Sequence, residues 1–138
     1  MLKKPVVLLV EDEALLVIGV EDALIHAGFE VFSALNATAA LAEIDSDPHK
    51  FACLVTDIRL GGDIDGWSVA RHAREKSARI AVVYMTGHAA AQWATEGVKD
   101  SVILTKPFPH AHLASTLLNL MNQSEPLVEL QTASAAGQ

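Results

Sequence analysis

Five short, largely apolar runs recur along the chain: VVLLV (6–10), EVFSAL (30–35), FACLVT (51–56), IAVVYMT (80–86) and SVILT (101–105). They are rich in valine and isoleucine and mostly continuous rather than alternating. A strand with one wet face alternates; a continuous run fits a parallel strand buried on both faces. Parallel strands need crossover connections, and the intervening stretches have helical spacing. Residues 14–27 form the first, with Leu15, Ile18, Ala23 and Leu24 as core positions and Gly28 placed to stop it. Residues 38–44, 66–76 and 89–95 follow, the third stretch offering Trp67, Val69, Ala70 and Ala73 to the core. The last, 111–121, offers Leu113, Leu117, Leu120 and Met121. Strand and helix alternate five times, which predicts an α/β domain with one parallel sheet and helices on both faces.

The 138 residues suffice for one domain with a real core, placed at residues 1–122. Beyond it the composition turns small and polar, and residues 123–138 are expected to be a flexible tail. Aromatics make up only 5%, so aliphatic side chains must fill most of the interior. A formal net charge of −7 argues against nucleic acid as a partner. No apolar run approaches the roughly 18 residues that span a bilayer. The opening MLKKPVVLLVEDE passes directly from apolar to acidic residues without a cleavage site, so it reads as a strand, not a leader. A single cysteine, Cys53, cannot form an internal disulfide and suits a reducing cytoplasm.

Chemistry gathers where the strands end. Glu11, Asp12 and Glu13 follow the first run, Asp57 the third, Thr86 closes the fourth and Lys106 follows the fifth. In open α/β sheets the ligand crevice lies beyond the carboxyl ends of the strands. With the first and third strands adjacent, Glu11, Asp12 and Asp57 converge there. Clustered carboxylates repel, and a hard divalent cation such as Mg²⁺ relieves the repulsion through oxygen ligands. Lys106 adds a positive charge and Thr86 a hydroxyl. A carboxylate nucleophile, a metal cage, a cation and a hydrogen-bond donor are the parts that phosphoryl transfer needs. Taken singly, Asp12 or Glu13 could equally cap the first helix.

The ordered set LLVEDE, LVTDIRL, DGW, VVYMTGHA and LTKPF resembles the receiver domain of two-component response regulators, from about Val6 to Met121. The resemblance implies a flavodoxin-like, doubly wound five-stranded sheet in the order 2-1-3-4-5. It makes Asp57 the phosphoacceptor and Glu11 and Asp12 the acidic pair, Asp12 being the direct Mg²⁺ ligand. The backbone carbonyl of Arg59 becomes a further ligand, and Thr86 and Lys106 hold the phosphoryl oxygens. It also implies a cis Lys106–Pro107 bond. The partners would be a histidine kinase or histidine phosphotransfer protein upstream and a protein target downstream. Such a domain catalyses only its own phosphorylation and dephosphorylation.

The chain departs from the family pattern in three places. Gly61 and Gly62 stand in the loop after Asp57 where a proline is usual, with one residue inserted before Gly66. Ile103 occupies the position of the usual aromatic switch residue, so the signal is expected to travel through the backbone from Thr86 to the fourth helix and through the Lys106 contact, not through residue 103. Gly87 replaces the common alanine and opens space beside the site. His88 falls at the mouth, where it either tunes water access or is simply exposed. His26 reads as a helix-end residue, and His110 and His112 point to different sides of their helix. Cys53 reads as core, and Trp93 as packed on the body rather than as a partner patch. With no output domain evident, a stand-alone receiver is the leading reading, with a phosphate sink or relay intermediate as its variant. An aspartate-nucleophile phosphatase of the haloacid-dehalogenase type would want a second acid where Arg59 stands. A receiver that is never phosphorylated would not need all five site residues.

Overall fold

The computed structural model describes residues 3–123. Its elements are β1 (Val6–Val10), α1 (Ala14–His26), β2 (Glu30–Ala34), α2 (Ala37–Ser46), β3 (Cys53–Asp57), α3 (Gly66–Lys76), β4 (Ala81–Thr86), a 3₁₀ turn (Ala90–Gln92), α4 (Trp93–Glu96), β5 (Ser101–Thr105) and α5 (His110–Gln123). The strands form one sheet in the order β2-β1-β3-β4-β5, with every pair parallel. This is the doubly wound flavodoxin-like architecture, and the strand order reverses between β1 and β3.

Both sheet faces are covered, which is why the strand runs are continuous. Leu8, Val10, Leu54, Val82 and Tyr84 point to one side and pack with Ala40 and Ile44 of α2 and Trp67, Val69 and Ala70 of α3. Val7, Leu9, Val55 and Val83 point to the other, against Val17, Val20 and Leu24 of α1 and Leu113, Leu117 and Leu120 of α5. Each fully buried aliphatic side chain contributes about 1.5–3 kcal/mol.

The first helix corrects the expected core face. Leu15 is 81% exposed and Ile18 61%, while Val17, Val20 and Leu24 are buried. Residues 14–18 are apolar throughout, so two helical stripes compete and the sheet selects one. Gly28 ends α1 as expected, at φ +101°. The Phe29 N–H then bonds the Leu24 carbonyl and the ring enters the core. The expected fourth helix shrinks to the 3₁₀ turn and one turn of α-helix, neither of which buries a residue. Alanines there give helical propensity without an apolar stripe to dock. The Lys106–Pro107 bond is cis. Of the expected tail, Gln123 is the last residue of α5, and 124–138 lie outside the described residues.

Candidate functional site

Parallel strands bring their carboxyl ends to one edge, and register does the rest. Val10 pairs with Thr56, so the residues that follow, Glu11 and Asp57, come level at the switch point. Glu11, Asp12 and Asp57 each offer a carboxylate oxygen, and these atoms lie within 4.8 Å of one another. Glu11 is 1% exposed and Asp57 9%, while Asp12 is exposed. Two like charges about 4 Å apart repel by about 4 kcal/mol at an effective dielectric near 20. Lys106, the residue after β5, offsets this. Its Nζ donates to Glu11 Oε1 at 2.9 Å and to Asp57 Oδ2 at 3.1 Å.

The remaining Glu11 oxygen, Oε2, accepts the Glu13 N–H at 3.0 Å. Glu11 is therefore held from both oxygens, whereas Asp12 faces solvent. Burial raises the Glu11 carboxyl above its ordinary value, against the lowering effect of the Lys106 bond. For Lys106, burial works to lower the ammonium, but the bonds to Glu11 and Asp57 outweigh it and the net direction is upward. Lys106 thus stays charged between the acids. The capping alternative is not realised: Glu13 occupies the N-cap position of α1 without a side-chain cap bond.

Thr86 closes β4 and is 2% exposed. Its Oγ accepts two backbone N–H bonds, from His88 at 3.1 Å and Ala89 at 2.7 Å. With both lone pairs engaged, what the hydroxyl can still offer is its proton, which suits an anionic oxygen at the edge. A Cβ at Gly87 would meet nothing within 4 Å, so this side of the site is open.

Gly66 fixes the other side. A Cβ there would stand 2.1 Å from the Asp57 carbonyl oxygen, so the start of α3 lies directly on the Asp57 backbone. The Gly66 N–H bonds the Ile58 carbonyl at 2.8 Å, and Asp65 caps the helix through the Ser68 N–H at 2.9 Å. The inserted loop turns at Gly61, whose φ is +78°, next to the Asp12 carboxylate. Arg59 is exposed and, with His88, Trp67 and Gln92, lines a cavity of about 350 Å³ beside the site.

Ile103 is partly buried and pairs across the sheet with Tyr84. Cys53 is fully buried, and burial pushes its thiol up to about 12. His26 and His112 are exposed. The His110 ring lies on α1 at Gly19, where a Cβ would come within 2.7 Å of it.

Two buried polar residues away from the carboxyl ends of the strands escaped the sequence reading. Tyr84 is fully buried, packs against Trp67 with ring centroids 4.6 Å apart and the planes tilted by 57°, and accepts the Val98 N–H at 3.0 Å. Ser101 opens β5 and bonds the Trp93 indole. A tyrosine inside an apolar run is a usable signal, since a buried phenol seeks a partner; a serine at a strand start gives none.

Residues 7–118 match the model of the response regulator receiver domain. The response regulator receiver protein CpdR of Brucella abortus is 31% identical over 108 residues, covering 77% of this chain and 82% of CpdR. The transcriptional regulatory protein FixJ of Azorhizobium caulinodans is 32% identical over 90 residues, and the aligned region spans only 42% of FixJ. A response regulator receiver protein from Sinorhizobium medicae superposes with a TM-score of 0.86 at 41% identity, over 91% of this chain and 100% of that one. The family match over most of the chain, on the fold the sheet order defines, places this chain in the response regulator receiver family of two-component systems.

Proposed function

We propose that the chain, as a receiver unit over residues 1–122, accepts a phosphoryl group on Asp57 from a phosphohistidine of a partner and signals through changed protein contacts. The donor is a histidine kinase or histidine phosphotransfer protein, and the reader is a protein target in the cytoplasm. One observation supports the reading above all: Asp57, nearly buried, lies among two further acids with the Lys106 ammonium 3.1 Å from its Oδ2. The carboxylate attacks phosphorus as the P–N bond to the partner's imidazole breaks, leaving an acyl phosphate on Asp57 and a free histidine. Lys106 moves its bond from carboxylate to phosphoryl oxygen, and Thr86 donates its hydroxyl proton to another.

The acidic donor set fits Mg²⁺, with hard oxygen ligands close enough to share one ion. Asp12, Asp57 and the Arg59 carbonyl would hold it, Glu11 shaping the cage from behind. When bound, it neutralises charge on the transferring phosphoryl group. A protein donor suits the surroundings: the rim where α1 begins exposes Leu15 and Ile18, an apolar strip beside an acidic mouth.

Intact mass after incubation with Mg²⁺ and a small phosphodonor tests the assignment. The chain gains one phosphoryl group, and Asp57→Asn, which keeps the shape and removes the nucleophile, gains none. A full adduct on the variant would move the acceptor elsewhere.

A further inference from the structure

The stretch between β4 and β5 is fastened at each end by a side-chain hydroxyl. At its start, Thr86 Oγ holds the N–H groups of His88 and Ala89. At its end, the Trp93 indole N–H donates to Ser101 Oγ at 2.9 Å, and Ser101 Oγ donates onward to the Val98 carbonyl at 2.6 Å. The Val98 N–H in turn bonds the Tyr84 hydroxyl. Between these fastenings the 3₁₀ turn and α4 bury nothing. Arg71 reaches the Glu96 carbonyl at 3.2 Å, but that contact is exposed and adds little.

The indole position is closely specified. It lies over Gly97, where a Cβ would stand 2.5 Å from Trp93 Cδ1. Its acceptor, Ser101, is 6% exposed and fixed in β5. Ser101 and Ile103 share one face of β5, two residues apart. Tyr84 of β4 lies beside Ile103 on that face, and Trp93 brings a second ring from α4 through its bond to Ser101.

Thr86 can turn its hydroxyl toward an anion on Asp57 while keeping its two N–H bonds, because they use the lone pairs and the anion uses the proton. Turning then draws the backbone of residues 87–89 along. Beyond Ala89, which is buried, residues 90–96 bury nothing and offer little resistance, so the strain reaches the next fixed point, the indole bond to a strand that stays in place. We propose that Trp93 and Ser101 form a latch that holds the α4 stretch in the unphosphorylated arrangement and opens when Thr86 turns to an anion on Asp57. This rests on the phosphoacceptor reading above. A contact present in only one of two states opposes the other, so weakening it favours the phosphorylated form.

The two indole N–H resonances of the intact chain test the latch without altering either tryptophan. The probe is beryllofluoride, a phosphoryl analogue, with Mg²⁺, its binding followed by fluorine NMR. On binding, the Trp93 indole shifts and its hydrogen exchange accelerates by about tenfold or more, while that of Trp67, buried and packed against Tyr84, holds. In Ser101→Ala the Trp93 indole exchanges fast from the outset, and the analogue binds about three- to tenfold more tightly. In Thr86→Ala, bound analogue leaves the Trp93 indole unmoved. A bound fluorine signal with an unchanged Trp93 indole in the parent chain overturns the latch alone, as does analogue affinity in Ser101→Ala no higher than in the parent. Absence of any bound fluorine signal in the parent overturns the phosphoacceptor reading and the latch with it.

Discussion

Two loops flank Asp57, and they are anchored by different means. The loop from β3 to α3 returns to the site through backbone on backbone, with Gly66 against the Asp57 carbonyl and its N–H on Ile58. The loop from β4 to α4 is tied by one side-chain hydroxyl, that of Thr86, and runs past open space at Gly87. Backbone contact at such range has one arrangement, whereas a hydroxyl can rotate and take its bonded partners with it. The first loop is thus scaffold for Asp57 and for the acidic side of the crevice. The second is the part that can respond.

The largest effect expected from that contrast is at Gly66. In Gly66→Ala the added methyl collides with backbone that has no flexible end to yield, so urea unfolding should show a loss of about 3 kcal/mol or more. Stability within about 1 kcal/mol of the parent would mean that the first loop adjusts as readily as the second.

Asp12→Ala comes next. It removes the exposed acid of the cluster and should weaken Mg²⁺ binding about tenfold or more by calorimetry. The metal-free fold should become slightly more stable, because one of three clustered charges is gone. Unchanged Mg²⁺ affinity would remove Asp12 from the ligand set.

Ile103→Val trims the responsive side without touching its fastenings. It should cost about 0.5–1.5 kcal/mol of packing and leave the phosphorylation-dependent amide shifts near α4 intact. Thr86→Ala, by contrast, should suppress those shifts. If Ile103→Val abolishes them and Thr86→Ala does not, the isoleucine is itself the switch.

The smallest effect belongs to Gly87→Ala. Its backbone is not in the left-handed region and the methyl meets nothing, so stability should hold to within about 0.5 kcal/mol. A loss comparable to that of Gly66→Ala would erase the difference between the loops.

How far the sequence disclosed this molecule follows from the kind of information each part uses. The strands were readable because burial on two faces leaves unbroken apolar runs, and the sheet order followed from the motifs. The acids and Lys106 were readable because strand ends in a parallel sheet share an edge. The facing of α1 was not: Leu15, Leu16, Val17 and Ile18 are all apolar, and only the sheet decides which are covered. Nor was the character of the two loops. Gly66 and Gly87 are the same letter, and their difference is a distance to residues elsewhere in the chain. The Trp93–Ser101 bond likewise joins two ordinary residues through the turn between them.

The bond from Lys106 to Glu11 spans 95 residues of sequence. A ribosome reads out all three acids long before it supplies their countercharge. In the folded chain the cation bonded to Glu11 and Asp57 comes from the residue after β5, so the last strand completes both the fold and the electrostatics of the site. A chain cut short before residue 106 keeps Asp57 but not the cation that holds it. On the phosphoacceptor reading proposed above, readiness to take up a phosphoryl group is tied to the presence of the fifth strand and the lysine after it.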